Sequence, residues 1–211
     1  MKSPFIVIQD FLSPLICEKI IEDNHVGQAN VNLDGDPIKL ERHIALWDHE
    51  IATRFQELVP EIEERYNCNY RGLEKVLLQH YPENDKAPAE GPGCGNSVFS
   101  RRKWIKNKDV DLVGFIWLKD FNDSLPLDTS YEVYGGKLEF LAHQFSLVPQ
   151  RGTLVLFPAG PHFITAISPV LLGDLYMLRL NVCVETKEHG LWFYQPSEYP
   201  GKWQDWFNDH F

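Results

Sequence analysis

The side chains able to do chemistry in this chain are few and widely spaced: His80, Asp85, Glu90, Cys94, His162 and Arg179. Imidazole, carboxylate and thiolate are metal donors, and an arginine in an apolar strand can hold a carboxylate. A site of two imidazoles and one carboxylate can be built from a His and an Asp two positions apart on one strand, which face the same side because side chains alternate with period two, and a second His from a facing strand. No histidine occurs from Tyr81 through Ala142, so that pair is missing from the middle of the chain. No C-x-x-C pair, helical His-Glu-x-x-His, Gly-rich phosphate loop or Ser-His-Asp ordering replaces it. His80, Asp85, Glu90, Cys94 and His162 converge only if residues 82 to 96 overhang a common pocket. His80 reads more simply as a buried strand histidine. Cys94, between two glycines, has no cation close in sequence to lower its pKa.

The elements that would position these groups fall into two parts. Pro4 to Gln9 is an apolar run of strand type, and Ser13-Pro14 supplies an N-cap and a first-turn proline for a helix carrying Leu15, Ile16, Ile20 and Ile21. Ile51, Phe55, Leu58, Val59, Ile62 and Tyr66 share one helical face, with Pro60 dividing residues 49 to 66 into two pieces. From Gly72 onward short β-type runs alternate with turn residues: Leu73 to Tyr81, Asp111 to Lys119, Lys137 to Leu141, Gln144 to Val148, Thr153 to Phe157, Phe163 to Ile167, Leu175 to Glu185 and Leu191 to Tyr194. Helices first and many short strands afterwards predict a mainly β (α+β) fold, a jelly-roll or cupin-like double-stranded β-helix with helices on one side. One domain, 1–211, is expected: an N-terminal strand and helical layer at 1–70, a β-helix core at 71–195 and an aromatic tail at 196–211. Residues 82–104 and 120–134 read as long irregular loops beside the pocket.

Composition narrows the function. The 211 residues are 44% hydrophobic, enough for one sizeable core, and no apolar run approaches a membrane span. A net charge of −10 argues against nucleic acid, since the only basic cluster is Arg101-Arg102-Lys103 with Lys106 and Lys108 around Trp104. Four unpaired-looking cysteines fit a reducing, cytoplasmic location. The aromatic C-terminus, from Trp192 to Phe211, either folds back over the sheet or forms an interface for a protein partner or a second copy.

Gly135-Gly136-Lys137-Leu138-Glu139-Phe140, Val148-Pro149, Gly152-Thr153-Leu154-Val155-Leu156-Phe157-Pro158 and Ser168-Pro169-Val170-Leu171-Leu172-Gly173 resemble the second half of the β-helix in prolyl-4-hydroxylase-type oxygenases. Pro4 to Ser13 and Leu77 to Tyr81 resemble that family's opening strand and core strand, so the likeness covers most of the chain. The resemblance implies Fe(II) and 2-oxoglutarate, with a His-x-Asp pair, a distal His and a basic residue that holds the 2-oxoglutarate carboxylate. At the corresponding positions this sequence has Gly93 for His, Gly95 for Asp, Thr165 for the distal His and Leu175 for the base. His162 is three residues from the distal-His position, an odd shift that reverses facing in a strand. Arg179 with Asn181 partly resembles the anchor of other oxygenase branches, although an internal carboxylate is the simpler partner for it.

Scaffold positions therefore match and chemical positions depart. The expectation is a relative without iron or 2-oxoglutarate chemistry that serves as a binding or structural protein. The Asp-Leu-x-Gly-x-Ile-x-Leu strand from Asp111 to Leu118 is similar to phage-encoded relatives, which makes a virion or assembly component one version, found in the host cytoplasm or the virion. The alternative is an active Fe(II)/2-oxoglutarate hydroxylase using His162 with Glu90 or Asp85, and Arg179 as the anchor.

Overall fold

The computed structural model describes residues 3–24, 40–83, 97–100, 103–106, 110–160 and 162–186. Its backbone is a jelly roll. Seven strands form the larger sheet: β1 (Ile6–Ile8), β12 (Leu154–Pro158), β7 (Leu112–Trp117), β15 (Leu175–Thr186), β4 (Leu77–Tyr81) and β2 (Leu40–His43) in that order, with β3 (Cys68–Leu73) also on β15. Every pairing in it is antiparallel. Facing it are two small three-stranded sheets, β11 (Phe145–Leu147), β10 (Leu138–Phe140), β13 (Thr165–Ile167) and β14 (Val170–Leu172), β9 (Glu132–Gly135), β8 (Asp120–Phe121). A hairpin of β5 (Ser97–Ser100) and β6 (Lys103–Lys106) stands apart.

Alternation along the central strands sorts side chains into two cores. Val113, Phe115 and Trp117 of β7, with Val155 and Phe157 of β12 and Leu175 and Met177 of β15, point into the β-helix. Leu112, Ile116, Leu154, Leu156, Tyr176, Leu178 and Leu180 point the other way, against the helices. Both faces are covered, which is why β7 and β12 read as unbroken apolar runs.

The helical layer forms for local reasons. Ser13 caps α1 (Pro14–Asp23) by accepting from the Ile16 amide, and Cys17 and Ile20 are buried on its inner face. Pro60 sits in the first turn of α3 (Val59–Tyr66), so it ends α2 (Ala45–Gln56) and starts the next helix instead of kinking one long helix. Asn67, in the left-handed region at φ 48°, stops α3. Tyr66 donates its hydroxyl to Pro4 O at 2.7 Å and ties that layer to the first strand.

Several expected elements are corrected. The single strand expected from Leu73 to Tyr81 is two strands, β3 and β4, separated at residues 74–76 where the Glu74 amide turns to bond Asn181 O. The region 82–104 contains β5, and 120–134 contains β8 and the start of β9; short strands with few apolar residues lack the alternation that would announce them. β2 was absent from the sequence reading for the same reason, its Leu-Glu-Arg-His having one apolar residue. β14 was missed because Ser168-Pro169 reads as the end of a strand. The strand expected at Leu191 to Tyr194 and the aromatic tail lie outside the described residues.

The double glycine of the scaffold bends the strand between β9 and β10. Gly135 has φ +92°, and a Cβ there would lie 2.2 Å from Pro169 O. Gly136 has φ +65° and receives Leu175, whose Cδ2 is 2.9 Å from the site of a Cβ.

Candidate functional site

Leu175 is fully buried at the start of β15, in the interior of the β-helix. Farther along the interior, near the level of Arg179 to Asn181, a cluster of rings packs together. Phe5 meets Phe140 edge-on at 5.1 Å, Phe140 stacks on Phe145 at 4.7 Å, and Phe157 meets Phe140 edge-on at 4.9 Å. Phe163 adds a contact to Phe5 at 5.7 Å, and Trp117 is also wholly buried in this core. Such arrangements are favoured by the ring quadrupoles and leave little to solvate an ion. Thr165 opens β13 opposite Phe140 and is 3% exposed. Thr165 and Leu175, the positions that the sequence resemblance assigns to the distal His and the base, carry a hydroxyl and an isobutyl group, and neither supplies an imidazole or a cation. These residues do not fit an iron and 2-oxoglutarate pair. Gly93, Gly95, Asp85, Glu90 and Cys94 lie outside the described residues.

Arg179 projects from the same face of β15 as Leu175 and Met177, farther along, and is 5% exposed. Its Nε donates to Asn181 Oδ1 at 3.2 Å, and its Nη1 lies 4.0 Å from Glu41 Oε2. Asn181 in turn donates to Glu74 Oε2 at 3.0 Å, and Gln79 donates to Glu41 Oε2 at 2.5 Å. This polar chain neutralises a guanidinium that would otherwise be buried alone. Glu41 and Gln79 were not singled out in the sequence. The available signal was the i, i+2 polar pair Arg179 and Asn181 in an apolar strand, which predicts polar partners across the sheet.

The two histidines near the β10–β11 turn come close together. His162 lies in a turn and is half-buried, while His143 is 5% exposed. The His143 ring lies 5.0 Å from Phe163 and 6.3 Å from Phe145, and neither ring nitrogen makes a hydrogen bond of normal geometry. Burial is the main force pushing its pKa down, to about 4, reinforced by the charge of His162 and opposed by the His162 backbone. Among the described residues no three His, Cys, Asp or Glu side chains assemble as a metal site. His80 is 6% exposed, stacked on Tyr176 at 4.4 Å with the rings 1° from parallel. Its Nε2 lies 3.2 Å from Asp174 Oδ2, near enough for an ion pair but not aligned as a hydrogen bond.

A second site, unforeseen in the sequence, opens on the helix side of the larger sheet. It is a cleft of about 370 Å³ between α1 and the segment before β9, with Glu18, Glu22, Lys119, Tyr131, Asp174 and Tyr176 among its walls. Lys119 is 4% exposed, donates to Thr129 O at 2.5 Å and lies 5.3 Å from the centre of the Tyr176 ring. Burial pushes its ammonium pKa down against the pull of Asp174 and Asp128. His80 holds the Asp174 carboxyl below its ordinary range, and burial pushes the Tyr176 phenol up to about 12.

No protein-family model matches the chain, and no curated protein matches it by sequence. Solved structures do match its fold. A viral collagen prolyl hydroxylase from Paramecium bursaria Chlorella virus-1, in complex with 2-oxoglutarate, is 14% identical; the match covers 88% of this chain and 97% of that one, with a TM-score of 0.62. A Pseudomonas putida prolyl-4-hydroxylase is 14% identical over 88% of this chain and 94% of that one, with a TM-score of 0.57. HygX from Streptomyces hygroscopicus, bound to nickel, 2-oxoglutarate and hygromycin B, is 10% identical over 92% and 85%, with a TM-score of 0.52. The fold is therefore that of prolyl-4-hydroxylase-like Fe(II)/2-oxoglutarate oxygenases, a jelly roll shared over nearly the whole of those chains. No helix among the described residues is long and apolar enough to cross a membrane.

Proposed function

We propose that this chain keeps the oxygenase β-helix as a rigid scaffold without iron and 2-oxoglutarate chemistry, and works as a binding or structural protein for a protein partner or a second copy of itself. The observation that carries this reading is Leu175, fully buried in the apolar core of the β-helix and packed against Gly136, at the position where the resemblance to prolyl-hydroxylase-like enzymes calls for a cation. Placing a carboxylate there would strip its water and return no counter-charge, a cost of several kcal/mol. Thr165 supports it further, because a hydroxyl at the distal-His position is a poor donor for Fe(II). Arg179 offers no easy substitute, since Glu41 and Asn181 already engage its guanidinium. Fold alone does not decide function, and here the donor set weighs against the usual one. The resemblance of the Asp111 to Leu118 strand to phage-encoded relatives favours a virion or assembly component as the concrete role.

The test is anaerobic. Metal-stripped protein is given Fe(II) and then 2-oxoglutarate, and the visible charge-transfer band of an iron–oxoacid chelate is sought. The expected result is no saturable band from protein whose circular dichroism shows it to be folded. A saturable band would overturn the proposal and direct mutagenesis to His162 and Arg179.

A further inference from the structure

The cleft on the helix side has no part in the oxygenase scaffold's chemistry, yet it holds the one buried amine among the described residues. We propose that it is a carbonyl-binding site in which the Lys119 amine condenses reversibly with a small neutral aldehyde to form an imine.

Three observations converge on this. Lys119 Nζ sits in a cleft of about 370 Å³, room for a molecule of a few carbons but not for a large ligand. The side chain is 4% exposed, and its Nζ is directed by one hydrogen bond to the Thr129 carbonyl, so the nitrogen is held in place while the cleft gives access. Desolvation also raises the fraction of neutral, nucleophilic amine relative to a lysine in water. Around the nitrogen stand groups able to move protons. Asp174 is an ionised acceptor with the His80 imidazole 3.2 Å behind it, and the Tyr176 phenol stays protonated at neutral pH. Glu22 and Asp174 on the walls disfavour an anionic ligand, Glu18 being already paired with Arg151 at 3.1 Å, and this selects a neutral, hydroxylated aldehyde over an oxoacid.

The chemistry balances without an oxidant or a reductant. The ammonium first loses a proton to solvent through the cleft. The Nζ lone pair then adds to the carbonyl carbon while the C=O π pair moves to oxygen. The proton shed by nitrogen passes through the Asp174 carboxylate to that oxygen, a further proton makes it a leaving water, and the C=N bond forms as water departs. Asp174, with His80 Nε2 3.2 Å behind it, and solvent in the cleft supply and recover these protons, the last of them leaving the C=N nitrogen.

The experiment traps the imine. Folded protein is incubated with glyceraldehyde and cyanoborohydride, and the rate of reductive labelling at each lysine is followed by peptide mass mapping. Lys119 is expected to be labelled several-fold faster than the exposed Lys19 and Lys75, and to lose that lead when the protein is unfolded in denaturant. Lys119→Arg, which keeps the charge, should lose the fast adduct with labelling of Lys19 and Lys75 unchanged. Labelling of Lys119 at a rate equal to or below that of Lys19 and Lys75 in folded protein would overturn the proposal. So would a lead that survives denaturation, because local sequence and not the cleft would then be its cause.

Discussion

The two sides of the larger sheet solve opposite problems with neighbouring residues of the same strand. Leu175 points into the β-helix and is sealed in its apolar core, while Tyr176 points to the helices and lines a polar cleft with Lys119 and Asp174. At the Leu175 end the inner face is apolar, its buried guanidinium at Arg179 lying farther along the strand, while the outer face keeps an amine, a carboxylate and an imidazole close together. A β-strand allows this because adjacent side chains face apart, so a change of chemistry on one side need not disturb the other. A fold can thus be retained while the chemistry of one of its faces changes.

The sharpest way to break this comparison is Leu175→Arg, which sets a cation at the position that the sequence resemblance assigns to the 2-oxoglutarate anchor. Fully buried in the apolar core, it should destabilise the protein by roughly 4 kcal/mol or more, read from urea unfolding. A folded variant that binds 2-oxoglutarate would show that the interior is adaptable and not plugged.

Acid probes the same side. The His143 pKa is about 4 in the folded protein and close to its ordinary 6.5 when unfolded, so the unfolded chain binds more protons between those values. The stability contributed by keeping this ring neutral is fully present above pH 6.5 and is lost as pH falls towards 4, by roughly 3 kcal/mol in all. Urea unfolding across that range should show the loss, and His143→Leu should flatten it.

Arg179→Ala comes next. It removes the guanidinium from Glu41 and Asn181 and should cost about 2 to 3 kcal/mol in the same assay, reduced from the fully buried case because Glu41 is partly exposed. Isothermal titration should find no 2-oxoglutarate binding lost with it. Gly136→Ala should cost about 1 to 2 kcal/mol, since φ +65° strains an L-residue and the new Cβ meets Leu175. Combining it with Leu175→Ala should recover part of that loss in a double-mutant cycle. The smallest effect belongs to the cleft wall: Glu22→Gln, on the exposed rim, should change stability by less than about 0.5 kcal/mol. A larger change would mean that the cleft is part of the packed structure and not an open site.

How far the sequence could be read depended on the length and regularity of each pattern. The strand β15 was expected from Leu175 to Glu185 and is observed from Leu175 to Thr186, because a central strand covered on both faces is mostly apolar and so stands out over its length. Gly135-Gly136 and Ser168-Pro169 lie together across the bend, as the scaffold resemblance requires. By contrast, β2, β8 and β14 are short and at sheet edges, where two to four residues give no period to detect. The cleft was invisible for a related reason. Glu18, Lys119, Tyr131 and Asp174 are spread over more than a hundred residues, share no spacing rule, and each alone reads as an ordinary surface side chain.

The sequence by itself determined the β-helix class, the helical layer and the identities Thr165 and Leu175, since alternation, capping and the types of side chain are written locally. Only the tertiary structure decided that Leu175 joins an apolar interior, that Arg179 meets Glu41 from a strand 138 residues away, and that Lys119 is a buried amine. Burial and long-range pairing are properties of how sheets and helices close on one another. They set desolvation, and desolvation decides whether a lysine is a surface charge or a reactive group.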